Sequence, residues 1–515
     1  MNKHRKERVM MPENKGRFLV VSNRLPVTLA CKEKKWEAKS SSGGLVNALN
    51  PVLKNRGGFW IGWPGTFENL KISAMKEILG PLSKRSGYRF LPVLMTKEDI
   101  ELFYNGFSNS VLWPLFHDFQ SRCNFLPSYW DGYIAANEKF AKVVLGHASI
   151  NDFIWVNDYQ LIPLGSMLLE KNPELNSSFF LHIPFPSVDV FMKLPWRKEI
   201  LHQLTCYSLV CFQTLRDRRN FIDCIRTFYP KAVIYGRGHV VKVNNGDRVF
   251  FVGSLPISID YKYYSSFSST SNVTKRARQI REEIFAEKII VGVDRLDYSK
   301  GIPEKLRGFE KCLESHPEIR ERVTLYQLVV PSRDTISEYK ELKHEIELLI
   351  SEINGRYSTT RWTPIIWRHG TLPESELYSI YRASDIALVT SLKDGMNLVC
   401  KEYCASKGKE SGVLILSEFA GAALQLSRGA LLVNPFDVND LSDSIYRAFS
   451  MDEHEKKIRM KSMRESIRRQ DVFWWVENFL RAATGKKLED YPEQDLPSLW
   501  PGLFAISKKY FKGAV

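Results

Sequence analysis

The sequence predicts an α/β protein with two Rossmann-like, doubly wound domains that face each other across a cleft. Short apolar runs, which are typical of buried strands, alternate with longer amphipathic or charged segments in both halves of the 515-residue chain. Polar residues follow many of these runs directly, at the point where open α/β sheets bind their ligands. A Ser- and Tyr-rich stretch at residues 261–274 separates the two series and is predicted to be a linker or loop.

The first domain is predicted to span residues 17–258, after a flexible tail over residues 1–16. Its first strand is predicted at Phe18–Val21, and it leads into a Ser-Asn-Arg sequence that places the basic residue Arg24 at the strand's carboxyl end. Further strands are predicted at Phe153–Val156, Ser178–Leu181, Leu209–Phe212 and Arg248–Val252.

The second domain is predicted to span residues 259–470, and residues 471–515 are predicted to form a last helix and a tail. The runs that indicate its strands are Lys288–Val293, Thr324–Val330, Pro364–Trp367, Asp385–Thr390, Val413–Leu416 and Leu431–Val433. Because these runs are apolar almost throughout, the strands are expected to be buried in a sheet covered by helices.

A glycine-bearing turn at residues 393–397 joins one of these strands to a predicted helix over Leu398–Ser406. Unpaired N–H groups at a helix N-terminus, together with the helix dipole, bind anions such as phosphate. Asp394 lies in the turn, where its carboxylate can accept hydrogen bonds from a polyol, and Glu402 lies further along the helix, where it can reach a ribose. A phosphate between two carboxylates suggests a nucleotide sugar. Alternatively, Asp394 only caps the helix and Glu402 only lies on its solvent face.

Other candidate ligand contacts follow the same logic. Arg295 and Lys300 lie in a turn between a strand and a helix, where two cations match a diphosphate, unless they only pair with neighbouring carboxylates. Gly43 and Gly44 precede an amphipathic helix and permit close approach of the backbone to a ligand.

Asp158 and His182 each follow an apolar strand, where α/β sites form, although a lone histidine is more often structural. Residues 59–65 and 104–114 are both rich in aromatic side chains, and both are predicted to be loops that contain Gly and Pro. Such rings stack on sugars or, more commonly, anchor a loop to the core.

The composition limits the classes of ligand and the cellular location that can be expected for this chain. The net charge of +15, from 73 Lys and Arg against 58 Asp and Glu, is spread along the chain, which favours small anionic ligands over nucleic acid. No apolar run is long enough to span a membrane and no signal peptide is recognised, so a cytoplasmic protein is expected. The eight cysteines have no paired C-x-x-C spacing, and neither a Walker A nor a G-x-G-x-x-G sequence occurs. No metal site is therefore predicted.

Eight segments carry a resemblance to a known family: residues 22–24, 43–45, 60–63, 104–113, 181–186, 294–301, 394–402 and 417–422. They resemble the glycosyltransferases of the trehalose-6-phosphate synthase family, and the resemblance extends over roughly residues 17–485. It implies the GT-B architecture, with the last helix, near residues 472–480, crossing back onto the first domain. It also implies a retaining, metal-independent transfer of glucose from a nucleotide donor, expected to be UDP-glucose, to glucose 6-phosphate.

The resemblance also implies a role for individual residues. Reaction-centre residues by matching position are Asp158, His182, Arg295, Lys300 and Asp394. Donor-binding residues are Gly43, Gly44, Arg295, Lys300, Asp394, Gly395, Met396, Asn397, Leu398, Val399 and Glu402. Acceptor-binding residues are Arg24, Trp63, Tyr104, Trp113, Asp158 and Arg333. No cofactor is implied, since the nucleotide sugar is a substrate, and a homo-oligomer is left open.

Two alternatives remain. Residues 157–160 read Asn-Asp-Tyr-Gln where the family usually has His-Asp-Tyr-His, residues 117–123 are not the usual continuation, and residues 187–197 are similar to glucosylglycerol-phosphate synthases. A sister enzyme that uses glycerol 3-phosphate is therefore the nearest alternative, and the retained acceptor residues oppose it. A non-catalytic sugar-phosphate sensor is opposed by the intact donor motifs.

Overall fold

Two sheets organise the chain in the computed structural model, which describes residues 16–32, 35–40, 44–66, 72–332, 337–408 and 412–484. The strands are β1 (Phe18–Arg24), β2 (Val27–Lys32), β3 (Lys35–Ser40), β4 (Phe59–Trp63), β5 (Arg89–Pro92), β6 (Phe153–Asn157), β7 (Ser177–Phe180), β8 (Leu209–Phe212), β9 (Val233–Tyr235), β10 (Val240–Asn244), β11 (Val249–Ser254), β12 (Lys288–Arg295), β13 (Val323–Val330), β14 (Ile365–His369), β15 (Ile386–Val389), β16 (Val413–Ser417) and β17 (Leu431–Val433).

The first sheet has nine strands in the order β5-β4-β1-β6-β7-β8-β11-β10-β9. Strands from β5 to β11 are parallel, and β10 and β9 close the sheet in antiparallel fashion. The strand order reverses between β1 and β6, which is the switch point where open α/β sheets bind ligands. In β1 only the last residue, Arg24, is exposed, so the chain delivers one basic side chain to that edge.

The second sheet has six parallel strands in the order β14-β13-β12-β15-β16-β17. Its order reverses between β12 and β15, so the turns after these two strands meet at a second switch point. These turns carry Lys300 and Asp394. The sheets and their connectivity establish the predicted α/β fold with two Rossmann-like units.

Helices cover both sheets. They are α1 (Gly44–Arg56), α2 (Ile72–Ser86), α3 (Lys97–Asp99), α4 (Trp113–Phe116), α5 (Pro127–Leu145), α6 (Leu164–Lys171), α7 (Val188–Phe191), α8 (Arg197–Thr205), α9 (Leu215–Phe228), α10 (Tyr261–Ser268), α11 (Ser271–Glu283), α12 (Ile302–Ser315), α13 (Ser337–Tyr357), α14 (Glu374–Ala383), α15 (Leu398–Ser406), α16 (Ala423–Leu426), α17 (Val438–Ser450), α18 (Glu453–Arg469) and α19 (Val472–Ala483). None of the described helices is both long and apolar enough to cross a membrane.

The two aromatic segments predicted as loops are regular elements, so this prediction was wrong. Residues 59–63 form β4, whose side chains are all buried, and Ile100–Leu112 is a π-helix that continues into α4. The glycine in the π-helix does not serve a turn: a Cβ at Gly106 would lie 2.5 Å from the ring of Tyr129. Glycine is required there because helix α5 packs so closely against the backbone.

The predicted linker at residues 261–274 is also helical. Asp260 caps α10, since its carboxylate accepts a hydrogen bond of 2.9 Å from the backbone N–H of Tyr263. The rings of Tyr263 and Phe267, four residues apart, stack with centroids 5.7 Å apart, and Tyr264 is buried. The rings of Tyr264 and Phe267 pack edge-on against Tyr378 of α14, at 5.4 and 5.2 Å between centroids, and so hold the segment against the second half.

The chain passes between the two halves twice, before α10 and before α19. The two crossings touch, because the N–H of Val472 donates to the carbonyl of Ile259 over 3.0 Å. Helix α19 then packs its aromatic face on the first sheet: Phe479 stacks on Trp155 at 4.0 Å between centroids, and Trp475 lies 5.0 Å from Trp155. The sheets end at Ser254 and Val433, and the predicted domain limits at residues 258 and 470 stay a prediction.

We expect Phe479→Ala to lower the free energy of unfolding by about 3–5 kcal/mol, because it removes a fully buried ring and leaves a cavity under α19. Chemical denaturation measures the effect. The matched control is Phe285→Ala, whose side chain is 71% exposed and should change stability by less than about 0.5 kcal/mol. Equal losses in the two variants would contradict the docking of α19.

Candidate active site

The glycine turn between β15 and α15 lies against the first half of the molecule. A Cβ at Gly395 would lie 2.2 Å from the carbonyl oxygen of His182, and one at Gly421 would lie 1.9 Å from the carbonyl oxygen of Gly395. Glycine at both positions thus lets three backbone segments approach closely. Asn397, with φ 75°, closes the turn, and its side chain accepts a hydrogen bond of 3.1 Å from the N–H of Cys400 to cap α15.

Asp394 is held by polar partners on several sides. Its carboxylate accepts hydrogen bonds from Lys300 Nζ at 2.6 Å, from Ser391 Oγ at 3.2 Å and from Asn397 Nδ2 at 3.3 Å. Burial alone would raise the pKa of Asp394, but the charge and hydrogen bond of Lys300 outweigh it and hold the pKa below its usual value. Asp394 is therefore an ionised acceptor fixed at the cleft, which goes beyond capping a helix.

Arg295 presents its guanidinium to the cleft. Its side chain is 47% exposed, lies 3.9 Å from Asp297 and places its guanidinium carbon 5.5 Å from the centroid of the Trp113 ring. The other neighbouring carboxylate, Asp294, is taken by the buried Lys305. Arg295 is therefore not held in a close ion pair by these acids, and its guanidinium is largely available to a ligand. Lys300 pairs with Asp394 and not with the neighbouring acids Asp294 and Asp297.

In the first half, Asp158 and His182 are brought together at the ends of β6 and β7. Asp158, with φ 76°, accepts hydrogen bonds from the N–H groups of Tyr159 at 3.1 Å and His182 at 3.2 Å. The ring of His182 contacts Asn157 Oδ1 through Nε2 at 3.1 Å and Gln213 Nε2 through Nδ1 at 3.5 Å. Burial lowers the pKa of His182 to about 3, so the ring is neutral.

The predicted acceptor residues also meet, on the same side of the first sheet. The guanidinium of Arg24 lies 4.6 Å from the ring centroid of Trp63 and 5.8 Å from that of Tyr104. Trp113 lies nearer the second half, with Tyr159 on one side at 5.7 Å between centroids and the guanidinium of Arg295 close by. A cation framed by aromatic rings suits a phosphorylated sugar.

His117 is a site residue that the sequence prediction missed. It is buried, its Nδ1 lies 2.7 Å from the carbonyl oxygen of Trp113, and its ring stacks on that indole at 4.1 Å. Its pKa is lowered to about 3, mainly by burial, with Asp297 and Asp394 opposing the shift and Lys300 adding to it. The signal in the sequence was the spacing of four residues from Trp113 on a helix.

The residues directly after His117 contact the second half of the molecule across the cleft. Lys393 Nζ forms an ion pair with Asp118 at 2.5 Å, although residue 118 belongs to the first half and residue 393 to the second. Tyr298, two residues before Lys300, contacts the ring of Phe119 at 5.1 Å between centroids and the guanidinium of Arg122 at 4.7 Å. Residues 117–122, which depart from the usual family pattern, therefore form part of the interface between the halves.

Glu402 lies on the buried side of α15. Its carboxyl group accepts hydrogen bonds from the hydroxyls of Tyr264 at 3.3 Å and Tyr381 at 3.2 Å. Burial raises the pKa of Glu402 to about 7 despite these hydrogen bonds. Its neighbour Lys401 is fully buried and donates to the carbonyl of Ile257 over 2.7 Å. Neither residue lies on a solvent face.

Of the other predicted donor residues, Met396 is buried in the turn, while Leu398 and Val399 form the first turn of α15. Gly44 begins α1, and Gly43 and Arg333 lie outside the described residues. Within the described ranges, no three His, Cys, Asp or Glu side chains gather as they would around a metal ion.

Comparison with known proteins decides the family. The family model described as "Glycosyltransferase family 20" matches residues 16–484. The chain belongs to glycosyltransferase family 20. Within this family it is 38% identical over 471 residues to the alpha,alpha-trehalose-phosphate synthase [UDP-forming] of Candida albicans, covering 90% of this chain and 97% of that protein. A Dictyostelium discoideum relative, "Alpha,alpha-trehalose-phosphate synthase [UDP-forming] A", is also 38% identical, but the chain spans only 62% of its length.

Solved family 20 structures share the fold. A Burkholderia xenovorans alpha,alpha-trehalose-phosphate synthase in complex with glucose-6-phosphate superposes with a TM-score of 0.82 at 31% identity, covering 91% of this chain and all of that one. The Escherichia coli structure bound with UDP-2-fluoro glucose gives a TM-score of 0.80 at 32% identity, covering 91% of this chain and 99% of that one. These neighbours establish the GT-B architecture of this chain.

The pKa of Glu402 predicts a pH dependence of stability. In the unfolded chain this carboxyl titrates near pH 4.5, whereas in the folded protein it holds its proton up to about pH 7. Between these values the folded state binds the extra proton, so the contribution of Glu402 to stability falls as the pH rises from about 4.5 to 7. Glu402→Gln removes that contribution, and we expect the variant to gain stability relative to the unsubstituted protein between pH 5 and pH 8.

Denaturation midpoints of both proteins at the two pH values measure this difference. Glu352→Gln, at an exposed carboxyl of α13, is the control and should show no such gain. A constant difference between the Glu402→Gln variant and the unsubstituted protein would contradict the raised pKa.

Proposed function

We propose that this chain is a retaining glucosyltransferase that transfers glucose from UDP-glucose to glucose 6-phosphate and forms trehalose 6-phosphate. The observation that carries the proposal is the contact between the glycine turn at Gly395 and the backbone of His182. It brings the ionised Asp394 and its partner Lys300 to the strand ends that carry Asp158 and the aromatic acceptor cluster. The Candida relative is named as a UDP-forming synthase, and solved relatives contain glucose-6-phosphate or UDP-2-fluoro glucose.

At the donor end, the side chains and helix terminus match a departing nucleoside diphosphate. Negative charge grows on the diphosphate as the glycosidic bond breaks, so fixed cations and backbone N–H groups aimed at it stabilise the transition state. Arg295 and Lys300 are the cations in this proposal, and the amides of residues 397–399 at the start of α15 are the backbone donors. Glu402 would hold the ribose through its remaining acceptor sites.

At the reaction centre, the proposed roles are positioning roles. Asp394 and His182 hold the hydroxyls of the transferred glucose, and Asp158 lines the space between donor and acceptor. Lys300, Ser391 and Asn397 all donate to Oδ2 of Asp394, which fixes the carboxylate and leaves Oδ1, with one long hydrogen bond of 3.4 Å from the N–H of Met396, to accept from the glucose hydroxyls. This arrangement supports a same-face displacement, in which the leaving phosphate assists the acceptor hydroxyl, over a covalent glycosyl-enzyme intermediate.

At the acceptor end, Arg24 with Tyr104 and Trp63 is proposed to hold the phosphate and the sugar of glucose 6-phosphate. Trp113 would form the wall nearest Arg295, and Arg333 is proposed as a further phosphate ligand. A cytoplasmic location and a homo-oligomeric state stay predictions.

Release of nucleoside diphosphate by the purified protein tests the function. UDP-glucose, ADP-glucose and GDP-glucose are each offered with glucose 6-phosphate, with glycerol 3-phosphate and without an acceptor. We expect UDP release that depends on glucose 6-phosphate, with trehalose 6-phosphate as the product. Release only with glycerol 3-phosphate would move the protein to the sister activity, and no release with any pair would indicate a sensor.

Arg295→Ala tests the donor site. We expect kcat/KM for transfer to fall by about 10²–10³-fold, because one preorganised charge opposite the leaving diphosphate is lost. The fold should be retained, since the side chain is half-exposed and its nearest carboxylate is 3.9 Å away. Arg226→Ala, which removes an exposed arginine paired with Asp223 on α9, is the control and should keep full activity. Full activity of Arg295→Ala would refute the assignment.

A further inference from the structure

A basic pocket lies on the second half of the molecule, at α18. It has a volume of about 420 Å³ and is bordered by the first residue of α10, by Gly408 after α15 and by one face of α18. Lys457, Lys461, Arg464 and Arg468 line it, beside a single carboxylate, Glu465. The mechanism proposed above uses none of these side chains.

The four basic residues form one stripe along α18. Their spacing of four, three and four residues places them on the same helix face, where like charges repel one another. Within the described part of the chain, no carboxylate forms an ion pair with any of the four. Other cations of the same helix are paired: Lys456 with Glu453 at 2.9 Å and Arg459 with Glu455 at 2.7 Å. Arg469, whose Nε donates to the carbonyl of Glu465 over 3.4 Å, has no described ion pair either but does not line the pocket. Four of the five lysines and arginines of α18 without a described carboxylate partner thus lie on the pocket side.

Arg464 supplies a second observation that points to a ligand. Its guanidinium carbon lies 5.9 Å from the ring centroid of Tyr261, and its Nε is buried without a hydrogen-bond acceptor in the described structure. A buried guanidinium N–H without an acceptor is costly, and a bound anion would supply one. The C-terminal end of α15 also attracts cations, but a helix end carries only about half an elementary charge, far less than the four cations provide.

We propose that this pocket binds a small molecule that carries two phosphate groups. The stripe runs from residue 457 to residue 468, about 16 Å along the helix at ~1.5 Å per residue. One phosphate spans roughly one helical turn, so a single group would leave half of the cations without a partner. A diphosphate or bisphosphate gives the middle two turns one phosphate each, and the long, flexible side chains at the two ends of the stripe can reach inward to it.

The pocket adjoins both places where the chain passes between the halves. Tyr261 follows Ile259 by two residues, and Arg468 precedes Val472 by four, while Ile259 and Val472 are hydrogen-bonded to each other at 3.0 Å. A ligand in the pocket therefore contacts the elements that carry both crossings.

Calorimetric titration with pyrophosphate, at fixed low ionic strength, tests the proposal. The unsubstituted protein is expected to bind at two sites, one beside Arg295 and one in the pocket. Lys461→Gln/Arg464→Gln should lose one site or weaken it at least tenfold, while Arg295→Ala should lose the other. The pocket site should bind inorganic phosphate at least tenfold more weakly than pyrophosphate.

The matched control is Lys142→Gln/Lys198→Gln, which removes two exposed lysines that have no ion pair within the described residues and leaves the net charge equal to that of the pocket variant. It should keep both sites. Wild-type stoichiometry and affinity in the pocket variant, or an equal loss in the control, would overturn the proposal, as would equal affinity for phosphate and pyrophosphate. Failure of Arg295→Ala to lose a site would instead count against the donor site.

Discussion

The buried ion pair between Lys300 and Asp394 joins the two turns that carry the proposed donor site. The strands that precede these turns, β12 and β15, are neighbours at the switch point of the second sheet, and the two side chains are only 11% and 13% exposed. Removing two such charges from water is expensive, and their attraction compensates only when the remaining lone pairs are satisfied. Ser391 and Asn397 supply those hydrogen bonds.

This pair also determines what a substitution can reveal. Removing either partner leaves a buried charge without its counter-ion, at a cost of about 3–5 kcal/mol, so loss of activity in such a variant would combine chemistry with a disturbed turn. Arg295 has a comparable charge and a half-exposed side chain. The proposed donor site therefore contains one cation that fixes its structure and one that can be removed with little effect on the fold.

The sequence predicted the strands best where an apolar run is continuous: Leu209–Phe212 and Leu431–Val433 have the predicted limits. The helix predicted after the glycine turn, Leu398–Ser406, also has them. It failed for the π-helix at Ile100–Leu112 and for α10, because tertiary packing overrides weak local propensity there. The site was predicted in outline, since strand ends indicate where polar residues gather. The partner of Lys300, 94 residues away, could not be chosen among nearby acids without the sheet order.

Asn157 shows how a departure from the family pattern can be accommodated. It is fully buried at the end of β6, and its amide oxygen lies 3.1 Å from His182 Nε2. An amide oxygen accepts but cannot take up the proton, so Nε2 carries the hydrogen and Nδ1 is left as the acceptor toward Gln213. Asn157 therefore fixes the tautomer of His182, and its described hydrogen bonds do not involve the side chains of the Arg24 cluster.

Helix α15, which begins at the proposed donor site, also contacts the first crossing between the halves. Lys401 donates to the carbonyl of Ile257 on that crossing, and Glu402 accepts from Tyr264 of α10. A carboxylate offers about four acceptor sites, so two hydroxyls of a ribose can bind Glu402 without displacing either tyrosine. Hydroxyls that donate hydrogen bonds favour the ionised form of Glu402, whereas burial alone disfavours it. Donor binding would thus change the charge beside α10, the helix whose first residue, Tyr261, borders the basic pocket.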